Sequence, residues 1–257
     1  MRRCLPLLVL FLAGCPAGRG PEESPPAAQK VTFPARQGSG QGLLFAGRAG
    51  QAPRPAVVVL HGDYGLTPRI EENAQRISAL GYVVLAVDLY RGEKVETLLD
   101  AHIMDRGLPD ERVKGDLKGA VDYLLSRDDV KPGAVGVVGW DMGGGYALDA
   151  AIADPRLRAV VTCYGRLTTD PALLAPMKAS VLGLYAGLDE GNPPGTLAAF
   201  RKAMAKASKR LAGLHVYEGA AHGFMNPAPD AKPTAADEKA REDGWRRIEE
   251  YLAAELR

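Results

Sequence analysis

Three side chains in the second half of the chain have the types and spacing for acid–base or nucleophilic chemistry: Asp141, Asp189 and His222. Asp141 is the centre of Gly139-Trp140-Asp141-Met142-Gly143, which follows the apolar run Ala134-Val135-Gly136-Val137-Val138 and opens a segment rich in small residues. A strand–turn–helix of this kind holds its central side chain at the strand's carboxyl end in a strained turn, while the glycines let strand and helix pass closely. Ser or Cys is the usual occupant, so Asp141 changes the chemistry on offer. Asp189 follows Leu184-Tyr185-Ala186-Gly187, and His222 lies in Gly219-Ala220-Ala221-His222-Gly223-Phe224. The order of elbow residue, acid and histidine, each just after a strand, is that of a reacting group served by a histidine that the acid orients. A histidine between two carboxylates favours its protonated form, so one negative charge must be removed before His222 can act as a base.

Two further segments complete this constellation. His61-Gly62-Asp63-Tyr64-Gly65 follows the strand-like Val57-Val58-Val59-Leu60, where a backbone N–H, that of Asp63, is expected to face an oxyanion; the second donor is the N–H of Met142. Tyr64, Arg91, Trp140 and Asn226 are the expected substrate contacts, with Trp140 also packing beneath the elbow. His61 reads as a loop-packing residue, and His102 and His215 as structural or solvent-facing. Cys163, inside an apolar run, reads as an inert buried thiol. No GK[ST] follows Gly143-Gly144-Gly145, so these glycines serve helix packing and not phosphate binding.

The elements that must position these residues follow from alternation of short apolar runs with amphipathic stretches, the pattern of a parallel sheet covered on both faces by helices. Strands are expected at 56–60, 83–87, 134–138, 157–163, 181–186 and 214–217, all short and mostly rich in β-branched residues. Helical stripes run through Ile70, Ala74, Ile77 and Leu80, through Leu117, Val121, Leu124 and Leu125, and through Trp245, Ile248, Leu252 and Leu256. Val31-Thr32-Phe33 and Leu43-Leu44-Phe45-Ala46 suit an antiparallel hairpin at one sheet edge. No internal repeat or later linker divides the chain, so one domain is expected over 30–257.

Residues 1–29 are a separate matter. Arg2 and Arg3 precede an apolar run, Leu5 to Ala13, which is the layout of a secretory signal and too short for the ~20 residues that span a bilayer. Leu12-Ala13-Gly14-Cys15 resembles the lipobox of bacterial lipoproteins, implying removal of residues 1–14, lipidation of Cys15 and a place in the bacterial cell envelope, on the periplasmic or outer surface side. Residues 15–29, with four prolines between Pro16 and Gln29, read as a disordered tether. The 46% apolar, 25% charged composition belongs to an ordinary globular chain. Thirty-two Lys and Arg against 31 Asp and Glu leave a scattered charge of +1, which gives no surface for nucleic acid. The three cysteines have no metal-site spacing, and neither metal nor cofactor is called for. The expected partners are a small-molecule substrate and, through Cys15, a membrane.

Several segments together resemble the dienelactone hydrolases, a family of the α/β-hydrolase fold. Val58-Val59-Leu60-His61 leading to Tyr64-Gly65-Leu66, Gly81 to Tyr90, Gly139 to Leu148, and His215 to Pro227 with a Trp-bearing last helix carry the likeness, which covers nearly all of the domain. The resemblance implies a hydrolase of enol lactones and related esters, without a cap domain, working through a Cys–His–Asp triad in which Asp189 and His222 inherit the acid and base roles. Asp141 departs from it by standing where the family has Cys. Gly62 stands where the family has a glutamate, with Asp63 the nearest acid, either replacing it or capping the helix near Pro68. Asn226 stands where the family can carry an arginine, and Arg91 is left as a candidate for such a contact. A carboxylate attacking an ester carbonyl gives a mixed anhydride that reverts readily. Three functions stay open: hydrolysis of a small ester or lactone with Asp141 as nucleophile or as base for water, displacement at the saturated carbon of an epoxide or haloacid with Asp141 as nucleophile, or ligand binding by an envelope protein without catalysis.

Overall fold

A computed structural model describes residues 27–46, 53–93, 95, 97–228 and 230–257. The signal segment and Cys15 lie outside the described residues. Fifteen elements follow in chain order: β1 (Gln29–Ala35), β2 (Gly38–Phe45), β3 (Arg54–Leu60), α1 (Pro68–Ala79), β4 (Val83–Val87), α2 (Leu98–Gly107), α3 (Asp110–Leu125), β5 (Val130–Trp140), α4 (Met142–Ala153), β6 (Leu157–Cys163), α5 (Pro171–Leu174), β7 (Ser180–Ala186), α6 (Pro194–Lys206), β8 (Leu211–Tyr217) and α7 (Ala235–Leu256).

The strands form one eight-stranded sheet in the order β1-β2-β4-β3-β5-β6-β7-β8. β1 and β2 are antiparallel to their neighbours, and β3 to β8 run parallel. The expected edge hairpin is therefore present, though each arm is longer than its apolar residues suggest, because the backbone ladder continues through Gln29 and Lys30 to Leu43 and Leu44. This is the α/β-hydrolase fold, and only the four-residue α5 stands between β6 and β7, so among the described residues no cap domain covers the site.

Central strands such as Val83–Val87 and Ser180–Ala186 are buried at every position, as expected for strands covered on both faces. Period-two alternation in β5 shows which helix lies on which face. A Cβ at Gly136 would meet Leu256 of α7, and Trp140 packs on Trp245 of α7, whereas a Cβ at Gly139 would fall on the Gly143 backbone of α4. Arg76 of α1 bonds Glu249 of α7 at 2.8 Å, placing α1 beside α7. The stripe residues Ile70, Ala74, Ile77, Leu117, Val121, Leu124, Trp245, Ile248, Leu252 and Leu256 are all buried. α2 carries no such stripe and is held at its start by a capping box between Thr97 and Asp100.

Candidate active site

The elbow is built as the run of small residues requires. Asp141 adopts φ 56°, ψ −124°, a conformation that costs an L-residue ~1–3 kcal/mol and must be imposed by its surroundings. The imposition comes from close passage of β5, α4 and β3: Cβ atoms at Gly139 and Gly143 would lie 2.0 Å from the Gly143 carbonyl oxygen and 2.3 Å from the His61 carbonyl oxygen. The Asp141 N–H is tied to the Cys163 carbonyl at 2.9 Å, so the turn is locked to β6 as well.

The side chains named from sequence converge there. His222 Nε2 lies 3.0 Å from Asp141 Oδ1, and His222 Nδ1 lies 3.0 Å from Asp189 Oδ2. Asp189 is held in turn by the Asn192 amide at 3.1 Å and the Gly191 N–H at 2.9 Å, and its side chain is only 3% exposed. The His222 ring is 46% exposed and meets the edge of Tyr164 at 5.0 Å between centroids. Burial disfavours the imidazolium, but the hydrogen bonds and charges of Asp141 and Asp189 outweigh it and raise the His222 pKa to about 9. The expectation of a protonated resting histidine is thus matched by the electrostatics. For Asp141, burial works to raise the pKa, yet its contacts with His222 and Asp63 prevail and hold the carboxyl below its ordinary value.

The carboxyl and backbone N–H of Asp63 lie beside the Asp141 carboxylate. Burial first, then the adjacent Asp141 charge, pushes the Asp63 pKa up to about 8, so at neutral pH this acid is protonated and donates. Asp63 does not cap α1; that place belongs to Thr67, whose hydroxyl accepts from the Ile70 N–H. A Cβ on Gly62 would lie 3.3 Å from Asp141 Oδ2, so Asp141 occupies the space a side chain at position 62 would need. The Met142 N–H is the first of α4 and has no acceptor within its own helix.

The constellation opens into a cleft of about 1060 Å³, to which Tyr64, Asn226, Tyr164, Thr97, His102 and Arg241 contribute. Tyr64 and Asn226 therefore sit where the sequence placed them. Two other expected contacts do not. Trp140 borders the cleft, but at 1% exposure its ring is committed to Trp245, a supporting role and not a substrate contact. Arg91, at a positive φ of 54°, is not among the residues of the cleft and forks onto the buried Asp116, with Nη2–Oδ1 2.5 Å and Nε–Oδ2 3.2 Å. A guanidinium so committed is not available to a substrate in the cleft. Asn73, Asn192 and Tyr164 were not foreseen: Asn73 donates to Asn226 Oδ1 at 2.7 Å, and the Asn192 amide bridges Asp189 and the Tyr164 carbonyl at 3.1 Å each. Only Asn192 had a sequence signal, its place three residues after the acid in a turn. His102 is exposed, as expected, on the side of α2 that borders the cleft; Cys163 is fully buried with its thiol pKa raised by burial. Among the described residues no group of His, Cys, Asp and Glu is arranged to hold a metal ion, and no helix is long and apolar enough to cross a membrane.

Residues 42–256 match the family model described as "Dienelactone hydrolase family". The chain belongs to the dienelactone hydrolase family. It is accordingly a hydrolase, and it resembles a Methylorubrum extorquens protein named "Putative carboxymethylenebutenolidase", 31% identical over 229 residues that cover 82% of this chain and 77% of the relative. A Bradyrhizobium protein named "Probable 2-oxo-3-(5-oxofuran-2-ylidene)propanoate lactonase" is 32% identical over 196 residues, covering 71% and 78%. Among solved structures, a dienelactone hydrolase from Anabaena variabilis superposes with a TM-score of 0.66 at 23% identity, over 91% of this chain and all of that one. A dienelactone hydrolase-like promiscuous phosphotriesterase from metagenomic libraries gives 0.80 at 22% identity with the same coverage. At those identities the two structures speak for the fold of this dienelactone hydrolase family member.

Proposed function

We propose that this protein hydrolyses a small ester or lactone, with Asp141 as the base for water and His222 as the acid for the leaving group. The observation that carries the reading is the unbroken chain Asp189–His222–Asp141, each link 3.0 Å, at the floor of an open cleft. The names of the lactonase and carboxymethylenebutenolidase relatives support the substrate class. Water attacks the acyl carbon while giving a proton to the Asp141 carboxylate, and the new oxyanion is met by the Met142 N–H. The carbon–oxygen bond then breaks as His222 Nε2 donates its proton to the departing alkoxide, and Asp141 returns the captured proton to His222. An imidazolium with a pKa of about 9 is in the right form for this role at neutral pH. Asp189 keeps the ring oriented throughout.

A second reading has its own support in the position of Asp63. Its N–H faces the Asp141 carboxylate itself, so an ester formed by attack of Asp141 on a saturated carbon would already have its carbonyl beside a backbone donor. Loss of the Asp141 charge would free His222 to activate water. The openness of the cleft, with no cap to exclude solvent, weighs for the first reading.

Single-turnover hydrolysis in 18O-water separates the two. With p-nitrophenyl acetate, small lactones, epoxides and haloacids offered in turn, the first reading expects turnover of esters or lactones, no heavy oxygen in the Asp141 peptide, and loss of activity in Asp141→Asn. Heavy oxygen in that peptide after turnover of an epoxide or haloacid would establish the second reading, heavy oxygen after turnover of an ester would make Asp141 a nucleophile and overturn its role as base, and no turnover of any of these would overturn both.

The same proposal includes export and lipid anchoring at Cys15 in the bacterial envelope, which Arg2-Arg3, the apolar run to Ala13 and Leu12-Ala13-Gly14-Cys15 support. Labelled fatty acid carried by the full chain but not by Cys15→Ser is the expected result in a bacterial host.

A further inference from the structure

We infer that His61 is a positioning residue for the Asp141 carboxylate, locked as the Nδ1–H tautomer, and that it acts by aiming the Asp63 N–H at that carboxylate. The inference rests on the hydrolase reading for its consequence and on geometry for its cause. His61 is wholly buried between the loops that follow β3 and β4, and both ring nitrogens are engaged. Its Nε2 lies 3.1 Å from the Leu89 backbone N, which can only donate, so Nε2 is the acceptor and carries no proton. Its Nδ1 lies 2.7 Å from the Gly62 carbonyl oxygen, which can only accept, so Nδ1 carries the proton. Two backbone partners with fixed roles thus fix the tautomer. Burial, which disfavours the imidazolium, holds the His61 pKa below its ordinary value and keeps the ring neutral and able to accept at Nε2.

The carbonyl that His61 holds belongs to the peptide unit whose N–H is that of Asp63. In a planar trans peptide the C=O and N–H point in opposite directions, so fixing one aims the other. The Gly62 carbonyl is fixed twice, by His61 Nδ1–H and by the Gly65 N–H at 3.0 Å. The next carbonyl, of Asp63, accepts from the Tyr90 hydroxyl at 2.9 Å, and the Tyr90 ring packs on His61 at 4.8 Å between centroids. The peptide's remaining group, the Asp63 N–H, thereby points away from His61, on a peptide whose Gly62 stands against Asp141, where an added Cβ would lie 3.3 Å from Oδ2. Leu89 and Tyr90 both come from the end of β4, so the ring transmits the position of one strand end to the donor at another.

The two amide substitutions at this position are not equivalent. Asn places an N–H near the site of Nδ1 and preserves the bond to Gly62, whereas Gln reaches the site of Nε2 and preserves the bond to Leu89. In the full-length protein with p-nitrophenyl acetate, His61→Gln is expected to lose ~10²-fold in kcat with KM little changed, the order of effect seen when one preorganised hydrogen-bond donor of an active site is lost. His61→Asn is expected to stay within ~10-fold of the parent. Equal losses in both variants that track their thermal unfolding would overturn the inference, as would an unchanged kcat in His61→Gln. Two readouts do not need turnover. Nitrogen-15 correlation spectra of the parent should show His61 protonated at Nδ1, and an Nε2–H signal would refute the assignment even if neither variant folds. The Asp141 carboxyl titration should move up in His61→Gln, which loses the aim of the Asp63 N–H, and not in His61→Asn; no movement in either would also refute it. A parent without turnover would defeat the proposed function, while these two signals would still decide the role of His61.

Discussion

The imidazole of His222 donates from Nε2 to Oδ1 of Asp141 across 3.0 Å, at the position where this fold ordinarily has a nucleophile waiting for a base. The pair is an ion pair at rest, because Asp141 titrates below its ordinary value and His222 at about 9. Proton transfer in this site therefore begins from a charged acid and a charged base and not from two neutral groups.

This makes the His222 titration the first quantity to measure. Carbon-bound proton signals of His222 should titrate near 9 in the parent, and Asp141→Asn, which removes one of the two carboxylates, should bring the midpoint down toward the ordinary imidazole range. The sign for stability follows from linkage. Between about 6.5 and 9 the folded protein binds a proton that the unfolded chain releases, so His222 stabilises fully below 6.5 and its contribution is lost as pH rises through 9. Chemical denaturation across that window should show stability falling with pH, more steeply in the parent than in Asp141→Asn.

Asp63 predicts a separate feature of the rate profile. Protonated, it donates to Asp141; once ionised it places a second negative charge beside the first, and its pKa of about 8 precedes that of His222. The two groups are coupled, so the alkaline fall in kcat/KM belongs to the pair and begins near 8. Asp63→Asn keeps an N–H donor at every pH and removes the titration. The alkaline limb should then move up toward 9, with the rate at pH 7 changed less than tenfold. A limb that stays near 8 would assign it to another group.

How far the sequence carries depends on whether a residue's role is set by its own neighbours in the chain. Asp141, Asp189 and His222 could be read because each sits at a strand's carboxyl end, so three local patterns suffice once the strands belong to one parallel sheet. The oxyanion segment 61–65 was legible for the same reason. Asn73 and Tyr164 were not, since Asn73 holds the cleft residue Asn226 from behind, on α1, and Tyr164 enters from the turn after β6, and nothing near them in the chain marks it. α2 lacked an apolar stripe to announce it, and its Leu99 and Ile103 are in fact exposed. For Arg91, proximity to Tyr90 in the chain does not bring proximity to the cleft, because its partner, Asp116, lies 25 residues on in α3.

That correction can be tested directly. Asp116 is 1% exposed and its carboxyl is held by Arg91 Nε and Nη2, so Arg91→Met leaves a buried charge without its counter-charge. Removing one partner of a buried pair costs ~3–5 kcal/mol. The variant should therefore lose stability on that scale in urea unfolding, and the double variant Arg91→Met/Asp116→Leu should recover much of it. KM should stay within about twofold of the parent in whatever folded fraction remains, whereas a substrate contact would raise KM in a variant of unchanged stability.

The elbow itself gives a steric prediction with an internal control. A Cβ on Gly143 would stand 2.3 Å from the His61 carbonyl oxygen and 2.7 Å from that of Leu60, both backbone atoms at the carboxyl end of β3 that cannot swing aside as a side chain would. Overpacking of a rigid interior usually costs ~1–3 kcal/mol, and here the displaced atoms belong to the strand end that carries His61 and Asp63. Gly143→Ala should lower the unfolding midpoint and abolish turnover together, because relief of the clash separates α4 from β3 and with it Met142 from Asp63. Gly107, at the end of α2, meets nothing within 4 Å, so Gly107→Ala tests whether an added methyl is harmful in itself. It should leave activity unchanged and raise stability by ~0.5–1 kcal/mol through the lower entropy of the unfolded chain. Scanning calorimetry and p-nitrophenyl acetate turnover on the two variants would check both halves, and a Gly143→Ala protein with parental activity would refute the close passage that holds Asp141 in its strained turn.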